Sequence, residues 1–138
     1  MPETVIPACS RALRDQYGFT EPADLLKAPL LHLVSRPDAW ERWFTANGLP
    51  PVEVHGMLID QFAVATQAAI AGMGITLLPE FLFQHEFMNG DLVPALDAPM
   101  RSVEAYYLAS PTARAAYPPL QRFRDWLLAE TEAYRLES

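Results

Sequence analysis

The sequence predicts an α/β fold with a mainly parallel sheet flanked by helices. Short apolar runs, too brief for helices, recur at "LLHLV" (residues 30–34), "VEVHGMLI" (52–59) and "ITLLP" (75–79). The stretches between them carry helical spacing, and the connections are brief. Strand, helix, strand, helix, strand in that order is a parallel α/β unit. At 138 residues the chain is about one domain long and can support one real core.

The elements follow in order. Residues 4–9 read as an opening extended run. In "FTEPADLLKAP" Thr20 can cap a short helix with Pro22 in its first turn, and Pro29 ends it. Residues 30–34 are short, apolar and without helical period, as a buried strand should be. Asp38-Ala39-Trp40-Glu41 has capping-box character, and Trp40, Trp43 and Phe44 continue at helical spacing until Gly48 supplies a stop, which predicts a helix over 39–47. Pro50 and Pro51 lead into a second strand. Asp60 can then cap a helix through Ala71 with Phe62, Ala65, Ala69 and Ile70 inward. A third strand follows at 75–79, then a short helix, an Asn89-Gly90 turn, an extended exit, a strand at "VEAYYLAS" and a long final helix in "PPLQRFRDWLLAETEAY".

Gly72-Met73-Gly74 needs separate treatment, because paired glycines beside an apolar strand can cradle phosphate. A phosphate loop follows a strand and opens a helix, whereas these glycines follow a helix and open a strand, with neither a Lys-Ser/Thr pair nor a third glycine. Gly72 is read as the helix stop, and Gly74 as a point where the turn approaches its neighbours closely.

Composition narrows the function classes. Net charge is −7, the wrong sign for a surface that neutralises phosphates, so these residues alone should not grip nucleic acid. No apolar run approaches the ~18 residues that span a bilayer, and Met1-Pro2-Glu3 lacks the start of a secretory signal. No membrane association and a cytoplasmic location are expected. Cys9 is the single cysteine, which excludes an internal disulfide and a cysteine-based zinc site. His32, His55 and His85 stand at no metal-ligand spacing, and no Ser-His-Asp order or acid pair suggests itself. Cys9 in "IPACS" reads as a small strand residue. Neither catalytic residues, nor a metal, nor a cofactor is therefore expected.

The segments "VIPACS", "RPDAWERWF", "DQFAVATQAAIAGMGITLLPEFL", "GDLVPAL", "YYLASP" and "FRDWLLAE", in this order and spacing, resemble the effector-binding (substrate-binding) domain of LysR-type transcriptional regulators, particularly its glycine-cleavage-activator-like branch. The resemblance covers about residues 3–130. It implies a periplasmic-binding-protein-like architecture of two α/β lobes joined by two crossover strands. Residues 1–12 would be a crossover strand from a first lobe whose beginning is not in this sequence. Residues 13–100 would form the second lobe, and 101–138 the returning strand and C-terminal helix of the first. A helix-turn-helix, through which the family meets DNA, is likewise not among these residues, and a homo-oligomer is implied.

In an open α/β unit ligands gather beyond the carboxyl ends of the strands. The loops at 35–40 and 59–62 satisfy that condition, and the resemblance implies the same cleft between lobes. Ser35, Arg36, Pro37, Trp40, Asp60, Gln61 and Phe62 are the expected ligand contacts. Arg36 suits a bidentate pair with a carboxylate, Ser35 can donate a hydrogen bond, and Asp60 or Gln61 can take an ammonium or hydroxyl, as for an amino acid or similar organic acid. Each also has a plainer use: Asp38 and Asp60 as helix caps, Arg36 as a solvated surface residue, Trp40 as core. The expected function is effector sensing without chemistry on the ligand. A stand-alone solute-binding protein shares the architecture, and a small hydrolase or transferase would need a nucleophile and base brought together by the fold.

Overall fold

The computed structural model describes residues 1–137. It forms two compact units. One is Thr4–Ser102; the other combines Met1–Glu3 with the chain from Val103 onward. The strands β1 (Pro2–Cys9) and β6 (Met100–Ala105) both run through the boundary, and β6 pairs with β1.

In the unit Thr4–Ser102 the sheet is built on β2 (Leu30–Leu33), β3 (Met57–Ile59), β4 (Ile75–Pro79) and β5 (Val93–Pro94), in the order β3-β2-β4-β1-β5. β2 pairs in parallel with β3 and with β4, whereas β1 runs antiparallel to β4 and β5. The three strands predicted as a parallel unit are thus parallel, and the sheet becomes mixed where β1 joins it. Parallel neighbours need helical crossovers, supplied here by α2 (Ala39–Ala46) between β2 and β3 and α3 (Phe62–Ile70) between β3 and β4.

Strand alternation sends successive residues to opposite faces. On one side Val5, Cys9, Leu30, Ile75 and Leu77 pack with Trp40, Trp43 and Phe44 of α2. On the other, Ala8, Leu31, Leu33 and Leu78 pack with Ala65 and Ala69 of α3 and with Phe83. The aromatic trio is tight: Trp40 stacks on Phe44 at 5.7 Å, and Trp43 meets Phe44 edge-on at 5.1 Å. Both indole N–H groups are satisfied, Trp40 Nε1 donating to the Leu31 carbonyl at 2.9 Å and Trp43 Nε1 to that of Ala98 at 3.0 Å. Fully buried side chains of this size contribute about 1.5–3 kcal/mol each, so this cluster anchors α2.

Several local expectations are corrected. A helix absent from the sequence reading, α1 (Arg11–Tyr17), starts where Ser10 Oγ accepts from Leu13 N and stops at left-handed Gly18. Thr20 is no cap: its amide and hydroxyl donate to Asp24 Oδ2, the Glu21 amide joins them, and Lys27 binds Oδ1, within a 3₁₀ turn at Pro22–Lys27. Lys27 first, then these donors, hold the Asp24 carboxyl well below the usual carboxylate range. Asp38 makes no capping bond and instead pairs with Arg42 at 3.4 Å, one helical turn on. At α3 the N-cap position falls to extended Gln61, not Asp60, again without a side-chain cap. β3 is shorter than predicted, and His55 lies outside it and exposed. The strand expected at 103–110 ends at Ala105.

The corner after α3 has the predicted chemistry. Gly72 takes φ +78°, in the left-handed region. At Gly74, where the chain enters β4 against β2, a Cβ would stand 2.6 Å from the Pro29 carbonyl oxygen, whose neighbour in the ladder is the Ile75 amide at 2.9 Å.

The second unit is tied by the chain's own start. The Met1 ammonium donates to the Tyr106 carbonyl at 2.7 Å, the Tyr106 amide to the Met1 carbonyl at 2.8 Å, and the Tyr106 hydroxyl to Glu3 Oε2 at 2.7 Å. Helix α5 (Pro118–Glu137), next in the sequence after the short helix α4 (Gln84–Asn89) of the other unit, completes it.

Two outcomes follow. Gly72→Val should cost more than about 1 kcal/mol, since a β-branched residue resists a left-handed backbone; a chemical-denaturation midpoint within error of wild type would contradict it. His32, buried in β2 with Nε2 meeting no hydrogen-bond partner, has its pKa lowered by burial against the opposing pull of Glu41. The unfolded chain then binds the proton more readily than the folded one, so stability should be complete above about pH 6.5 and fall as pH drops through that range. His32→Gln should flatten the pH dependence of the denaturation midpoint between pH 7.5 and 5, and an unchanged slope would contradict this.

Candidate functional site

The carboxyl ends of β2 and β3 lie side by side because the two strands are parallel and in register at Leu33 and Ile59. The Val34 amide donates to the Ile59 carbonyl at 2.9 Å, extending the ladder to the first loop residue. The chain then turns twice, the Arg36 amide donating to Leu33 and the Ala39 amide to Arg36, before entering α2. Across from it, residues 60–61 lead directly into α3.

A contact between side chains joins these loops. The Arg36 guanidinium carbon lies 4.7 Å from the centroid of the Phe62 ring. Phe62 is half-buried and touches Phe83 at 6.1 Å, so the ring is held from beneath and presents a π face to the cation. Arg36 is half-buried, while Ser35, Pro37, Asp60 and Gln61 are exposed along the same edge. The fold brings together Arg36 and Phe62, which are 26 positions apart in the sequence.

Trp40 leaves this group. It is 1% exposed, its ring sits in the aromatic trio and its N–H is used by Leu31, so it supports the loop from behind as core.

Two cavities open elsewhere in the unit Thr4–Ser102, and neither is lined by an expected contact. One of about 430 Å³ is lined by Arg11, Glu80, Gln84, Phe87, Met88 and their apolar neighbours. A broader depression of about 720 Å³ runs between α2 and residues 51–53. Sequence reasoning missed the first because its polar lining comes from separate segments, and only the Ser10 cap hinted that Arg11 opens a helix.

Cys9 is fully buried, and burial pushes its thiol up to about 11, which keeps it protonated and poorly nucleophilic. Among the described residues no three His, Cys, Asp or Glu side chains stand together as a metal site, and no helix is long and apolar enough to cross a membrane.

The profile of the family described as LysR substrate binding domain matches residues 1–132. The transcriptional activator AmpR of Providencia stuartii is 33% identical over 124 residues, 90% of this chain and 41% of its own length. The glycine cleavage system transcriptional activator of Escherichia coli K12 is 33% identical over 133 residues, 95% of this chain and 43% of its own. This chain thus spans less than half the length of these relatives. Among solved structures, the effector domain of AmpR from Pseudomonas aeruginosa superposes with a TM-score of 0.85 at 28% identity, over 99% of this chain and 67% of that one. The effector binding domain of AmpR from Citrobacter freundii gives 0.83 at 29% identity, over 96% and 65%. A match along nearly the whole chain, on the same mixed α/β frame, establishes that this chain belongs to the LysR substrate binding domain family.

Proposed function

We propose that the chain senses a small carboxylate-bearing effector, an amino acid or similar organic acid, at the edge formed by residues 35–37 and 60–62. The observation that carries this is Arg36 stacked on Phe62 at the carboxyl ends of two parallel strands. Stacking orients the guanidinium, whose planar fork has the shape for bidentate recognition of an anion. Ser35 adds a donor, and Asp60 or Gln61 an acceptor for an ammonium or hydroxyl. Neither α2 nor α3 is capped by its own N-cap side chain, so both helix starts favour negative charge here. In this reading residues 13–100 are the second lobe of the effector domain, and residues 1–12 and 101–138 its connections to the first.

Sensing of this kind needs only that the effector bind two arrangements of the protein unequally, since it shifts their balance by no more than that difference. No bond in the effector is made or broken. In the longer regulator, the shift would pass through an oligomer to a helix-turn-helix on DNA, in the cytoplasm.

Calorimetric titration with a panel of amino acids and dicarboxylates tests the site. Arg36→Ala should weaken whichever compound binds by about 1.5–3 kcal/mol, the scale of a hydrogen bond to a charged group. Unchanged affinity would move the contacts elsewhere, with the cavity beside Arg11 the next place to look. The same protein, with net charge −7, should show no sequence-dependent shift of duplex DNA in gel titration at moderate salt. Such a shift would contradict a purely sensory role for these residues.

A further inference from the structure

The cavity of about 430 Å³ in the unit Thr4–Ser102 stands apart from residues 35–37 and 60–62. In the sheet order β3-β2-β4-β1-β5 those residues follow β2 and β3, whereas the cavity is lined from β1 and β5 at the other end. Backbone bonds fix its walls. The Gly90 amide donates to the Phe87 carbonyl at 3.2 Å and the Leu92 amide to that of Glu86 at 3.1 Å, which holds the end of α4 to the turn before β5. The Ala95 amide donates to the Pro7 carbonyl at 2.8 Å and so ties the far side of β5 to β1. Most of the lining is apolar: Ile6 and Leu92 are buried, Phe87 is half-buried, and Met88 is 85% exposed, a flexible side chain that adapts to an apolar guest. Two charges of opposite sign complete it. Arg11 and Glu80 are both exposed, and among the described residues neither side chain has an ion-pair or hydrogen-bond partner. They approach from different ends, because Glu80 follows Pro79, the partner of Val5, while Arg11 follows Cys9, the partner of Val93. Val5 and Cys9 are separated by about 13 Å of strand.

We propose that this cavity binds a second class of ligand, an elongated apolar molecule with a carboxylate at one end and an ammonium at the other, as in an ω-amino acid or a short apolar peptide. The carboxylate pairs with the Arg11 guanidinium and the ammonium with the Glu80 carboxylate. Between them the apolar body lies on Ile6, Phe87 and Leu92. The cavity has the size of small-molecule sites, and its character matches theirs, mostly apolar with a few placed polar groups. A guest with a single charge answers only one of the two side chains. An α-amino acid carries both charges on neighbouring atoms and cannot reach both ends of the cavity, which sets this site apart from an amino-acid effector held at Arg36.

Calorimetric titration with ω-aminooctanoate and the tripeptide of leucine, beside octanoate, octylamine and leucine, is the test. It is run on the 138-residue protein and on its Arg36→Ala variant, which removes the guanidinium proposed to hold the effector, with folding checked by circular dichroism. At least one of the two elongated zwitterions should bind in the millimolar range or tighter, equally in both proteins. In Arg36→Ala the three control compounds should bind about tenfold more weakly than it. Whichever of the tripeptide and ω-aminooctanoate binds more tightly assigns the source as peptide or ω-amino acid. In the Arg36→Ala background, Arg11→Gln should lower the affinity for ω-aminooctanoate to that for octylamine, and Glu80→Gln should lower it to that for octanoate. A merely structural role for Arg11 or Glu80 would weaken every compound alike. The proposal is overturned if neither zwitterion gives saturable heat in the millimolar range, or if Arg11→Gln and Glu80→Gln leave their affinities unchanged. It is equally overturned if Arg36→Ala abolishes their binding, since the ligand would then sit at the other edge. Loss of amino-acid binding in Arg36→Ala alone bears only on the effector reading.

Discussion

The parallel register of β2 with β3 and β4 is the constraint on which the unit Thr4–Ser102 depends. Pairing Leu33 with Ile59 brings two loops from distant parts of the sequence to one edge, and pairing Leu30 with Ile75 encloses β2 on both sides. A slip of one residue would turn Leu31 and Leu33 from the side packed by α3 to the side packed by the aromatic trio, exchanging their places with Leu30 and His32. Every buried position on both faces resists that slip. The approach of Gly74 to the Pro29 carbonyl belongs to the same constraint, because any side chain there would push β4 away from β2.

Behind the candidate site, rigidity comes from aromatic packing. Trp40 sits four residues after Arg36 and cannot turn outward without emptying the trio and breaking its bond to Leu31. That division of work suits a sensing edge: the residue expected to touch a ligand stands on a loop, and the residue just beyond it fixes that loop to the core. Arg36 is held differently, by a ring from the neighbouring loop. Its position therefore depends on both loops at once.

The polar groups within the core divide by how they are satisfied. Asp24 gathers donors from Thr20, Glu21 and Lys27, so its charge is stabilised and its turn is held without a hydrophobic contact. Glu3 receives the Tyr106 hydroxyl. Burial lowers the pKa of His32, which packs close to Gly56 and serves as a core residue of β2.

The sequence by itself determined the repeating strand and helix order over residues 30–79, the glycine stop at Gly72 and the amphipathic character of the final helix. Each of these is written in local periodicity or in a backbone conformation that one residue type favours. It also held the ordered segments that mark the family, because these extend over nearly the whole chain. The caps were decided by tertiary structure: Thr20, Asp38 and Asp60 have the right chemistry, but Thr20 turns to Asp24, Asp38 pairs with Arg42, and the N-cap position of α3 falls one residue beyond Asp60, at Gln61. The antiparallel entry of β1 was likewise invisible, since a buried strand reads the same in either direction. So was the meeting of Arg36 with Phe62. Such a contact depends on which strands become neighbours and in what register, and that is set by how the two faces of the sheet bury their side chains, a property of the folded chain that no short stretch of residues carries.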